Sequence, residues 1–162
     1  MSDLPSVVSD TLACYYEEVR DKIREIVAPL SNEQLWRKPY SYGNSAGHLL
    51  LHLTGNLNHY IGAHIAETGY VRDRPREFTD ANSAPKDQVL ANFDRAIAMV
   101  AQTIRRQSHE DWTARYSADT PSKNRFAVLM RMAAHVEHHF GQMQYLVREL
   151  AKQDSSRASG AR

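Results

Sequence analysis

Apolar residues recur at threes and fours along four long stretches of the chain, and each stretch predicts an amphipathic helix. In residues 5–28 the series is Val8, Leu12, Tyr15, Val19, Ile23 and Ile26. Pro29 closes it, because proline bars the preceding residue from helical geometry. A second series, Leu49, Leu53, Leu57 and Ile61, opens behind the capping residues Asn44 and Ser45 and runs to residue 67, short of Gly69. The third starts at Pro85, a favoured first-turn residue, and carries Val89, Phe93, Ile97, Val100 and Ile104. The fourth spans residues 122–152, with Leu129, Met132, Val136, His139, Met143, Leu146 and Leu150 at a spacing of roughly 3.5 residues. No useful length alternates at period two, so the expected fold class is all-α.

The segments between these helices, "SNEQLWRKPYSYG", "ETGYVRDRPREFTDANSA" and "SHEDWTARYSADT", exceed the short turns that join antiparallel neighbours, and at least one can cross over. In the first, Ser31 with Gln34 three positions on forms a capping-box pattern and predicts a short extra helix ending near Lys38. The closing "DSSRASGAR" lacks apolar content. The expected division is one helical domain, residues 1–152, followed by a disordered tail, residues 153–162.

A chain of 162 residues suits a single core. Its 20 lysines and arginines nearly balance its 19 aspartates and glutamates, leaving no net field to draw it to nucleic acid or an anionic membrane. No signal-like or spanning segment is present, and the expected location is the cytoplasm. Cys14 is the single cysteine, so a bound metal would be held by nitrogen and oxygen.

The chemistry lies in "HVEHHFGQM", residues 135–143. At about 100° per residue, His135 and His139 fall about 40° apart and one turn along the same face. That row reads Val128, Met132, His135, His139, Gln142 and Leu146, so it points inward. On the second helix the comparable row is Ser45, Leu49, His52, Asn56 and Ala63, with His48 and His59 near its axis. Several buried imidazoles are costly unless they share hydrogen bonds, water or a cation. A divalent ion accepts two histidines at i and i+4 plus a third from a facing helix, which favours His52, His135 and His139, with His48 and His138 in reserve as ligands or outer neighbours. Asn56, Gln142 and Tyr145 are candidate pocket lining.

Two sharper motifs fail. A zincin needs glutamate directly after its first histidine, where this chain has Val136. A di-iron bundle needs Glu-x-x-His pairs, yet three positions after Glu137 stands Phe140. Taken singly, His59, His64 and His109 read as structural residues, and Cys14 has no assigned role.

The stretches "NSAGHLLLHLTGNLNHYI", "HVEHHFGQMQYL" and "PLSNEQLWRKP", and above all "LLHL" and H-x-x-x-H-x-G-Q, resemble the DinB-like (YfiT-like) superfamily of metal-binding four-helix bundles. Its members include bacillithiol and mycothiol S-transferases, and the mycothiol-dependent maleylpyruvate isomerases are similar. The resemblance covers the first helix to Lys152. It implies an up-down-down-up bundle with a long link between parallel second and third helices, a zinc or nickel ion on His52, His135 and His139, and a homodimer.

These readings lead to a metal-dependent S-transferase that moves a low-molecular-weight thiol to a small-molecule substrate, with a related hydrolase or isomerase using the same parts. The sequence assigns no catalytic residue. The alternatives are a non-catalytic or stress-related bundle around a structural ion, and a helical dimer with histidines hydrogen-bonded in its core and no metal.

Overall fold

The computed structural model describes residues 3–79, 83–118 and 120–160. Parts of two expected linkers, residues 80–82 and 119, and the last two residues of the expected tail lie outside the described residues. Helix α1, Leu4–Val27, starts where the Asp3 carboxylate accepts from the Ser6 amide, and it buries Leu12, Tyr16, Val19, Ile23 and Val27. In α2, Asn32–Trp36, both arms of the predicted Ser31/Gln34 capping box are made. Its Trp36 ring lies against α3, Ala46–Leu57, so closely that a Cβ on Gly47 would stand 2.6 Å from it. Only glycine admits that approach.

Four long helices form the bundle: α1, α3, α4 (Lys86–Arg105) and α6 (Arg125–Gly160). Helix α4 runs against α1, with Glu17 paired to Arg105 and Arg24 to Asp94. Helix α6 runs with α1, since Val7 and Phe126 border one groove at one end while Tyr15 meets Glu137 further along both helices. Between α3 and α4 the register is parallel: Thr54 and Gly55 face Asn92 and Arg95, and Gly62 lies beside Met99. The topology is therefore up-down-down-up, as the resemblance implied. The crossover between α3 and α4 carries a 3-10 turn, Pro75–Phe78, that packs back on α3.

Three boundaries differ from expectation. The second helix keeps α geometry only to Leu57 and widens into a π turn, Asn58–Ala63. There Thr54 donates to the Leu50 carbonyl, Asn58 to the Thr54 carbonyl and Tyr116 to the Tyr60 carbonyl, so side chains compete for the acceptors of the ladder. A further short helix, α5 (His109–Thr113), stands where a loop was expected, on a Ser108/Asp111 capping box. Pro85 precedes the first turn of α4, and Asn32 of α2 accepts from the Lys86 amide in place of a cap.

The expected disordered tail is helical to Gly160. Gln34 and Arg37 both donate to Asp154, and Gln153 donates to the Pro39 carbonyl. Beyond them Ser155, Ser156 and Ser159 return hydrogen bonds to carbonyls one turn earlier. Polar anchoring to the α2 segment replaces the apolar burial whose absence suggested disorder.

Among the described residues no strand forms, and no helix is long and apolar enough to cross a membrane. One buried clasp fixes α1 on α6: the Tyr16 hydroxyl donates to the Leu129 carbonyl at 2.6 Å. Tyr16→Phe removes this bond while the carbonyl keeps its ladder partner in α6, and urea unfolding is expected to show a loss of about 0.5–1.5 kcal/mol at unchanged m-value.

Candidate metal centre

Helices α3 and α6 bring His52, His135 and His139 together, with one nitrogen of each ring inside a 4.8 Å span. His52 is buried and the other two are half-buried. Nε2 of His52 lies 3.0 Å from Nε2 of His135. Two imidazole nitrogens at roughly 2.0–2.1 Å from one tetrahedral ion sit about 3.3 Å apart, so this pair already has close to the spacing an ion requires.

The remaining ring nitrogens set the tautomers. Glu77 Oε2 lies 2.9 Å from Nδ1 of His52, and an ionised carboxylate only accepts, so Nδ1 donates and Nε2 presents its lone pair inward. Burial would push the Glu77 carboxyl up, but hydrogen bonds from His52 and Arg72, with the guanidinium charge, hold it below the usual carboxylate range. Arg72 binds both carboxylate oxygens, at 2.7 and 2.8 Å. On α6, Nδ1 of His139 donates to Oε1 of Gln142 at 2.7 Å, which leaves Nε2 as its available donor to a metal.

Room for Glu77 comes from Gly55, one turn before the π segment. A Cβ there would stand 2.1 Å from Glu77 Oε1. Neither Glu77, Arg72 nor Gly55 was identified from the sequence. Glu77 and Arg72 belong to a linker without periodicity, and Gly55, three positions after His52, has no side chain to mark its place.

The other candidates take different places. His48, fully buried, meets Ser45 through Nδ1 in a second capping box and lies edge-on to Trp36, which makes it part of the start of α3. His138 is exposed and accepts from the Gln142 amide at 3.0 Å, so Gln142 bridges His138 and His139. Asn56, one turn after His52 on the same row, is buried, and among the described residues its Oδ1 has no hydrogen-bond partner. Cys14 is exposed on α1, outside the histidine cluster.

Burial, reinforced by the neighbouring imidazoles, pulls His135 down to about 4. Burial also lowers His139, against the opposing pull of its Gln142 hydrogen bond. Both rings are therefore unprotonated near neutral pH, the form that ligates. In metal-free protein the His135 ring signals are expected to titrate near pH 4 by NMR, where an ordinary imidazole titrates near ~6.5. The unfolded chain then binds more protons between these values, so this group's contribution to stability falls as pH drops from ~6.5 toward 4.

Fold and site together define a four-helix bundle with an inward three-histidine cluster able to hold a divalent ion. The family model described as mycothiol-S-transferase matches residues 11–153. The chain belongs to this DinB-like family. No curated protein matches it. Among solved structures, a conserved protein from Enterococcus faecalis is similar in fold, with a TM-score of 0.74 and 16% identity over 90% of this chain and 98% of that one.

Proposed function

We propose that the chain binds one divalent ion, zinc or nickel, through His52, His135 and His139 and transfers a low-molecular-weight thiol to an electrophilic small molecule. The observation that carries this reading is the convergence of three imidazole rings in a chain of the mycothiol-S-transferase family. Imidazole suits both ions. Among the described residues the cluster offers three donors and no fourth His, Cys, Asp or Glu, the set of a site that keeps one position open, which supports catalysis over a closed structural ion. The half-buried rings of His135 and His139 support the same choice, because a ligand-saturated ion would be shut inside the core.

When bound, the ion supplies Lewis acidity that lowers the pKa of a thiol and makes it a nucleophile near neutral pH. The chain's own residues prepare that site. Glu77 and Arg72 hold His52 in the Nδ1–H tautomer, Gln142 does the same for His139, and the buried α3 face excludes water from one side of the cluster. In the transfer the thiol gives up its proton to solvent, its sulfur lone pair forms the bond to the electrophilic carbon, and the leaving group departs with the bonding electrons.

The test uses protein purified without a histidine tag. Metal-replete chain is expected to consume mycothiol when an alkylating electrophile is present, to stop on chelation and to recover on zinc or nickel addition. A rate indifferent to chelation contradicts the proposal, and so does protein that takes up no stoichiometric ion.

A further inference from the structure

One helical turn from the histidines, between the start of α3 and the middle of α6, lies a cleft of about 280 Å³. Tyr40, Tyr42, Leu49, Gln142, Tyr145 and Leu146 line it. Gln142 is also the side chain that holds Nδ1 of His139, so the cleft and the cluster share a wall. The geometry points to this cleft as the seat of the electrophile, and to an uncharged, flat aromatic compound as its class. The assignment rests on the transfer reading above.

Three observations lead there. Among the described residues no lysine, arginine, aspartate or glutamate borders the cleft, so a charged ligand would find no countercharge there. Its rim consists of aromatic faces that the fold leaves in solvent: Tyr42 is 77% exposed and Tyr145 70%, while Tyr40 and Tyr42 stack within 15° of parallel. Flat rings stack on such faces at little entropic cost, and the Leu49 and Leu146 side chains add apolar surface. Volume is the third constraint, since about 280 Å³ holds one substituted ring or two fused ones. The larger cavity behind Glu77, about 470 Å³, is bordered by Asp73, Arg76 and Arg95 and offers a polar, charged surface instead. The apolar groove between α1 and α6 touches no residue of the cluster.

Dinitrotoluene, which is neutral, reports binding without transfer when no thiol is present, and dinitrobenzoate is its anionic counterpart. Calorimetry on the metal-loaded chain is expected to show dinitrotoluene bound and dinitrobenzoate bound at least tenfold more weakly. The Tyr42→Ala/Tyr145→Ala double variant is expected to weaken dinitrotoluene about tenfold while keeping its fold and metal content, because both side chains stand mostly in solvent. Tyr70→Ala, in the cavity behind Glu77, is expected to bind as wild type. Equal affinity for the two probes, no binding by wild type, or wild-type binding by the double variant overturns the assignment. Probe binding needs neither thiol nor transfer, so wild type that binds dinitrotoluene but transfers nothing overturns the transfer reading and leaves the cleft. Thiol transfer at unchanged KM in the double variant overturns the cleft and leaves the transfer reading.

Discussion

His139→Ala is expected to take the purified chain from near-stoichiometric divalent metal to background, while His109→Ala keeps the wild-type content, both read by elemental analysis. Removing one of three imidazoles leaves two protein ligands, too few to hold zinc or nickel against water and buffer. The change should spare the fold, since His139 is half-buried and its Nδ1 bond goes to an exposed Gln142. His109 lies exposed at the start of α5, outside the cluster, and serves as the control for nonspecific imidazole binding. Equal metal in wild type and His139→Ala would remove the ligand assignment, and with it the transfer chemistry.

Glu77→Gln is expected to weaken metal binding about 10–100-fold, measured by competition with a chromophoric chelator. The carboxylate accepts from Nδ1 of His52 and from two nitrogens of Arg72. An amide keeps the shape but can place an N–H against the imidazole, which turns His52 out of its ligating tautomer, and it leaves the guanidinium without its countercharge. Gly55→Ala should act in the same direction by a different route, because its Cβ would stand 2.1 Å from Glu77 Oε1 and push the carboxylate off His52. If both variants bind metal like wild type, Glu77 has no part in positioning His52.

Much of the architecture was legible in one dimension because burial imposes a period. Val89, Phe93, Ile97, Val100 and Ile104, spaced by threes and fours, are all buried on α4. The same rule placed His135 and His139 on one inward row and His52 on a facing one, and the three rings do converge. Capping was legible where its pattern was sought, at Ser31 and Gln34, and passed unnoticed at Ser108 and Asp111, where the same chemistry starts α5.

Contacts without periodicity stayed hidden. The polar end of α6 looked disordered because its anchors, Gln34 and Arg37, lie more than a hundred residues away in the chain. Glu77 looked like one acid among many in a charged linker, and only the 3-10 turn after Arg74 swings it onto His52. Helix and face follow from local geometry, a fixed rotation per residue acting on apolar side chains that must leave water, and the sequence alone determines them. The partner that sets the His52 tautomer, the glycine that makes room for it and the tyrosine cleft beside Gln142 depend on distances between segments far apart along the chain, and those only the tertiary structure decided.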